Sequence, residues 1–136
     1  MLAASTKQKD FVWSVIPNLK DHTDLKLIYR ASRDGWARVD FHRHCDNQGP
    51  TIILAKSAVG RICGGFTAVP WTSEEGWKND NTAFLFSVDS ELKFPFVKIG
   101  TTSVFHHAAG PSFSGCFNLL NMNNPNANYC YFIGSG

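Results

Sequence analysis

The sequence predicts an α+β fold: a two-layer antiparallel β-sandwich flanked by one or two short helices. Three observations predict it. About six to eight short runs, most on a two-residue apolar period and bounded by Gly, Pro, Asn or Asp, read as strands. Two other stretches, near residues 7–16 and 36–45, carry helical apolar spacing instead. The 136 residues are 43% apolar and 18% charged and include eleven Phe and four Trp, which suits one domain (1–136) with an aromatic-rich core. Tyr29, Phe41, Ile53, Phe66 and Phe84 are expected to share a single dry interior.

Phe11, Val12, Val15, Ile16 and Leu19 fall on one helical face. Pro17 should stop that helix near Ile16, because proline lacks an amide hydrogen and clashes with the preceding turn. Trp13 lies off the stripe, at the helix rim. In residues 25–31, Leu25, Leu27 and Tyr29 alternate with Lys26, Ile28 and Arg30, which gives a strand with one apolar and one mixed face. Ser32-Arg33-Asp34-Gly35 then reverses the chain: Gly35 takes positive φ readily, and Asp34 can bond a nearby backbone amide. A helix beginning at Gly35 or Trp36 should bury Ala37, Phe41 and Cys45 and turn Arg38 and Asp40 to water. Residues 46–50 end it in a polar turn.

Residues 51–56 and 61–68 are rich in branched side chains and flank Ser57-Ala58-Val59-Gly60, a four-residue hairpin loop. Gly64 and Gly65 inside the second strand imply close approach, here expected from the neighbouring helix or the Trp71 ring. Residues 71–81 read as a polar surface loop, and residues 82–88 as a core strand. Residues 94–99 read as a strand that Pro95 assigns to an edge, and residues 103–106 as another. A turn at Gly110-Pro111, a strand at 113–120, an Asn-rich loop at 121–128 and a final strand at 129–133 complete the chain.

The motifs YRASRDG (29–35), FHRHCDNQGPT (41–51), CGGF (63–66), AVPW (68–71) and AFLFS (83–87) occur in a fixed order. In these the chain resembles the TLD (TLDc) domain family, its protist and invertebrate members in particular. After Phe86 the agreement thins. GPSFSGCFNLL keeps Gly110, Pro111, Phe113 and Gly115 but lacks a Gly-Gly-His-Asp portion that the family often carries. The resemblance implies a two-sheet sandwich with short helices. Animal TLD relatives are linked to oxidative-stress resistance and bind the vacuolar proton pump, so it also implies a cytosolic, non-enzymatic protein-interaction role.

Composition narrows the partners. Thirteen basic and eleven acidic residues are interspersed, for a net charge of +2, so no basic block points to nucleic acid or an anionic membrane. No run approaches the roughly 20 apolar residues of a membrane span, and MLAASTKQKD lacks the apolar centre of a secretory signal, which makes a cytosolic address the expectation. Cys45, Cys63, Cys116 and Cys130 form no CxxC pair and read as buried free thiols.

The densest polar group is Asp34, His42, His44, Cys45 and Asp46. His42 and Asp46, at i and i+4, should pair, while Cys45 should point away from His42 and into the core, which removes it as a nucleophile. His42 with His44, and His106 with His107, point apart, so neither pair forms a metal site, and no cofactor signature is present. The candidate binding residues are Asp34, Trp36, Trp71, Trp77, Asp80, Asn121, Asn123 and Asn124. Trp36 and Trp71 are expected to cap the core, which leaves Trp77 as the surface aromatic. A protein partner is the first reading. The second is a lectin-like carbohydrate or small-ligand site in which Trp77 stacks on a sugar and Asp80, Asn121, Asn123 or Asn124 bond its hydroxyls; an enzyme of unknown chemistry is the third.

Overall fold

The structure, a computed structural model, describes residues 5–17, 25–57, 59–74, 76–95, 103–107, 110–113, 117–118 and 129–135. The elements are α1 (Thr6–Val15), β1 (Leu25–Arg30), α2 (Ala31–Asp34), α3 (Arg38–Cys45), β2 (Thr51–Lys56), β3 (Ile62–Thr67), β4 (Gly76–Asn79), β5 (Phe84–Ser87), β6 (Leu92–Pro95), β7 (Ser103–His107), β8 (Gly110–Phe113), β9 (Phe117–Asn118) and β10 (Tyr129–Ser135). They form two antiparallel sheets with short helices, an α+β fold. One sheet has the order β1-β10-β2-β3-β5-β6 and the other β4-β7-β8-β9. β10, from the far end of the chain, enters between β1 and β2.

Local chemistry explains the helix limits. The Ser5 hydroxyl accepts the Gln8 amide at 3.3 Å while Gln8 Oε1 accepts the Ser5 amide at 2.9 Å, a capping box that satisfies two otherwise unbonded donors. At the other end Ile16 is already extended, one residue before Pro17, as expected. The helix at α3 starts later than the sequence implies. Ala37 is its exposed N-cap rather than part of its buried edge, and the Asp40 carboxylate accepts the Ala37 amide at 3.2 Å. Only Phe41 and Cys45 of the expected edge are buried.

The single interior expected for five residues is two clusters, one on each face of the six-stranded sheet. Tyr29, Phe41 and Ile53 join Ala31, Cys45, Trp71 and Ala83 on the α3 side. Phe66 and Phe84 join Val15, Ile52, Leu54, Ile62, Phe86 and Val88 on the α1 side. The cause is strand alternation: neighbours Ile52 and Ile53 point to opposite faces, and a helix packs on each face. Phe66 stacks on Phe84 at 5.2 Å between centroids, and Phe41 meets Tyr29 and Trp71 edge-on at 5.8 and 5.7 Å. Such aromatic pairs contribute about 0.5–1.5 kcal/mol each beyond the area they bury.

Other departures have local causes. The register of β1 on β10 shifts between Leu27 and Tyr29, a bulge at Ile28, so Leu27 and Tyr29 do not share the apolar face that simple alternation implies. Residues 71–81 contain β4, and Gly110-Pro111 begins β8 instead of a turn, since both strands find partners in β7. Of the strand expected at 113–120, Phe117 and Asn118 pair with β8. A Cβ at Gly64 would strike the Ile53 carbonyl and the Phe86 ring, so the close neighbour is the adjacent strand and not a helix or Trp71. β6 occupies a sheet edge, as Pro95 implies, but runs from Leu92 to Pro95. Leu19 and the loop at 121–128, with Asn121, Asn123 and Asn124, lie outside the described residues.

Candidate functional site

The turn after β1 is built by Asp34. Its Oδ2 accepts the Arg30 amide at 2.8 Å, and its carboxylate takes Arg33 Nε at 2.6 Å and Nη2 at 2.7 Å. The Arg33 hydrogen bond, then the Arg30 amide and the charges of Arg33 and His44, outweigh burial and hold the Asp34 pKa down at about 2. One turn on, the Tyr29 hydroxyl donates to the Gly35 carbonyl at 2.6 Å, and Gly35 sits at φ +113°, where a Cβ would strike the Asp40 carboxylate. Asp34 is thus committed to holding the turn.

At the end of α3, His42 Nδ1 bonds Asp46 Oδ1 at 2.8 Å, the pair the helical spacing implies. The Ser73 hydroxyl donates to Asp46 Oδ2. The Asn47 amide donates to the Trp71 carbonyl at 2.8 Å, and a parallel bridge joins Asp46 to Trp71. These bonds fasten the helix end to the chain leaving β3. Ser73, His42 and Asp46 do not make a nucleophile relay, because the serine bonds the carboxylate and not the imidazole. His44 Nδ1 bonds the Asp40 carbonyl at 2.8 Å.

The third polar knot is Asp80, 5% exposed. Its carboxylate accepts Thr67 Oγ1 at 2.6 Å, the Ala68 amide at 2.7 Å, and the Thr82 amide and hydroxyl at 2.8 and 2.6 Å. Burial pushes its pKa up, but these four donors outweigh that, and the net shift is downward. Among the thiols, Cys45 is fully buried, and burial with Asp89 nearby raises the Cys63 pKa, which disfavours the reactive thiolate. Among the described residues no three His, Cys, Asp or Glu side chains converge on a metal position, and no helix is long and apolar enough to cross a membrane.

A model of the TLDc domain matches residues 4–135. The chain belongs to the TLDc domain family. MTOR-associated protein MEAK7 of Danio rerio is 34% identical over 81 residues, which is 60% of this chain and 17% of that protein. TBC1 domain family member 24 of Xenopus tropicalis is 29% identical over 68 residues, 50% of this chain and 12% of that protein. MEAK7 of Gallus gallus is 32% identical over 67 residues, 49% and 14% of the two chains. The matched stretch is therefore only 12 to 17% of the length of these curated relatives. All three are vertebrate proteins, so the leaning toward protist and invertebrate members finds no support among them.

In this TLDc domain the structure describes the side chains of four expected binding residues, Asp34, Trp36, Trp71 and Asp80. Trp71 is fully buried, its Nε1–H donating to Thr51 Oγ1 at 2.9 Å, so it is a core residue and not a surface anchor. Trp36 is half-buried against the α3-side cluster. Asp34 and Asp80 spend their oxygens on their own turns. The Trp77 backbone pairs with Phe105 in the four-stranded sheet. What the sequence reading passed over is Arg30, whose Nε is buried without a hydrogen-bond partner among the described residues, and Leu27 beside it, 38% exposed. The signal available was Arg30 inside the YRASRDG motif; the bulge that places it could not be seen.

Proposed function

We propose that this TLDc domain is a non-enzymatic protein-interaction module. The observation that carries the reading is the family match over residues 4–135. It is supported by Asp34, the His42–Asp46 pair and Asp80, whose bonding fixes turns and strand ends rather than converging on a reactive point. MEAK7 is by name an MTOR-associated protein, and we extend association with a protein partner to this chain. The finer assignment is a link to the vacuolar proton pump and to oxidative-stress resistance, exercised in the cytosol. A role in oxidative stress exercised through a partner is supported by the two described cysteines, Cys45 and Cys63, neither of which is placed to act as a redox thiol. The same reading takes the two sheets as the layers of a sandwich, supported by α3, which packs against β1 of the larger sheet and β8 of the smaller.

The test is immobilised full chain presented separately to purified vacuolar proton pump, to purified mTOR complex and to a glycan array. Saturable binding to either protein assembly, unaffected by free sugars, is the expected result. Sugar-competable binding with no protein complex would replace this reading with the carbohydrate one, which has already lost Asp80 to the interior.

A further inference from the structure

We infer that Arg30 is an anchor for a carboxylate of the protein partner, on the part of the α1-side face that α1 leaves uncovered. This rests on the interaction-module reading. Leu27 lies opposite Ile133 and thence Ile52, while Arg30 lies opposite Tyr131 and thence Leu54. Directly opposed residues of an antiparallel pair share a sheet face. Leu27 and Arg30 therefore stand on the face where Ile52 and Leu54 pack, and they do so together only because the bulge at Ile28 inserts one residue between them. Phe11, Val12 and Val15 of α1, with Ile16 just past its end, cover the cluster of β2, β3 and β5 on that face. Toward β1, the edge strand next to β10, Leu27 remains 38% exposed.

Beside that apolar step sits a guanidinium whose Nε lacks an acceptor among the described residues. Arg30 Nε is buried and has no hydrogen-bond partner among the described residues, an arrangement that is unfavourable until an acceptor arrives. Asp34, the carboxylate nearest in sequence, is occupied by the Arg33 guanidinium and by the Arg30 main-chain amide. Arg33 is thereby paired with a carboxylate, whereas Arg30 forms no ion pair among the described residues. A guanidinium presents a planar fork of donors that matches a carboxylate with two parallel bonds, and Leu27 adds an apolar contact for the flanking residues. The occupant this describes is a partner segment bearing an Asp or Glu among apolar side chains.

The experiment follows the Arg30 Nε–Hε resonance of the full chain while short synthetic peptides are added, each with one glutamate among leucines, alongside its glutamine counterpart. The glutamate peptides should shift that resonance saturably. Glutamine counterparts, and the Arg30→Gln variant, should bind about tenfold or more weakly, with Arg30→Lys intermediate. Leu27→Ser, a change at an exposed position that leaves the guanidinium in place, should also weaken binding. Equal affinity for glutamate and glutamine peptides overturns the proposal, as does sodium acetate alone reproducing the shift at the same concentration, which would mark an ion site only. A proton pump or mTOR complex that binds Arg30→Gln as tightly as wild type sinks this inference and leaves the interaction reading standing. Glutamate peptides binding through Arg30 with no protein assembly bound would do the reverse.

Discussion

Trp71 and Thr51 are joined through the α3-side core: the indole Nε1–H donates to Thr51 Oγ1 at 2.9 Å, and both residues are buried. The bond places the chain leaving β3 against the first residue of β2, while the indole ring packs edge-on against Phe41 of α3. Replacing Trp71 by Ala should cost about 3–5 kcal/mol through the cavity it leaves. Trp71→Phe keeps an aromatic ring but strands the Thr51 hydroxyl, for a loss of about 1–3 kcal/mol. Urea unfolding of the two variants gives the order, and a Phe variant as destabilised as Ala would show that the indole N–H matters little beside the packing.

Gly64→Ala should destabilise by about 1–3 kcal/mol, the usual cost of overpacking. The added methyl has no free space, because the Ile53 carbonyl is backbone and the Phe86 ring is fixed within the α1-side cluster. Gly60 makes the control. It has open space around its missing side chain but sits at φ +85°, so Gly60→Ala carries only backbone strain, on the order of 1 kcal/mol. Thermal melts that rank Gly60→Ala as the worse variant would contradict the packing account.

These contrasts also show what the sequence could disclose. The β2–β3 hairpin, the stop of α1 before Pro17 and the His42–Asp46 pair depend on residues a few positions apart, so spacing alone reveals them. The placement of β10 between β1 and β2 depends on pairing across about a hundred residues, and no local period encodes it. The bulge at Ile28 is one extra residue in an otherwise regular alternation, yet it decides which face receives Arg30. Asp80 sits in a polar stretch and reads as surface. It is buried because the end of β3 presents the Ala68 amide and the Thr67 hydroxyl to it, a demand invisible until the strands are paired.

Ser5→Ala should loosen α1 by about 0.5–2 kcal/mol, the usual cost of losing an N-cap hydroxyl. Two polar fastenings of α1 to the turn between β5 and β6 are exposed: Lys7 to Glu91 at 3.1 Å, and Gln8 Nε2 to Asp89 Oδ1 at 3.4 Å. Exposed pairs of this kind contribute little. Amide hydrogen exchange should therefore accelerate within α1 while β2 and β3 stay protected. Uniform acceleration across the sheet would mean that α1 and the sheet open as one unit.

Stability should fall steeply in acid because two carboxylates are held ionised by their own turns. The Arg33 hydrogen bond leads the causes that lower Asp34 to about 2. For Asp80, burial works in the opposite direction, yet the Thr67, Thr82 and Ala68 donors prevail and the pKa is lowered. An unfolded Asp titrates near 3.9. A folded pKa below that value means that protons bind the unfolded chain first, so the contribution is complete above about pH 4 and is lost as pH falls toward 2. Asp34→Asn and Asp80→Asn should each flatten the dependence of unfolding free energy on pH in that window. Asp80→Asn should also lower stability at pH 7 by about 1–3 kcal/mol, since the amide cannot accept from all four donors. Urea unfolding from pH 7 to pH 2 reads both effects. An acid slope in the double variant as steep as in the wild type would place the sensitive groups elsewhere in the chain.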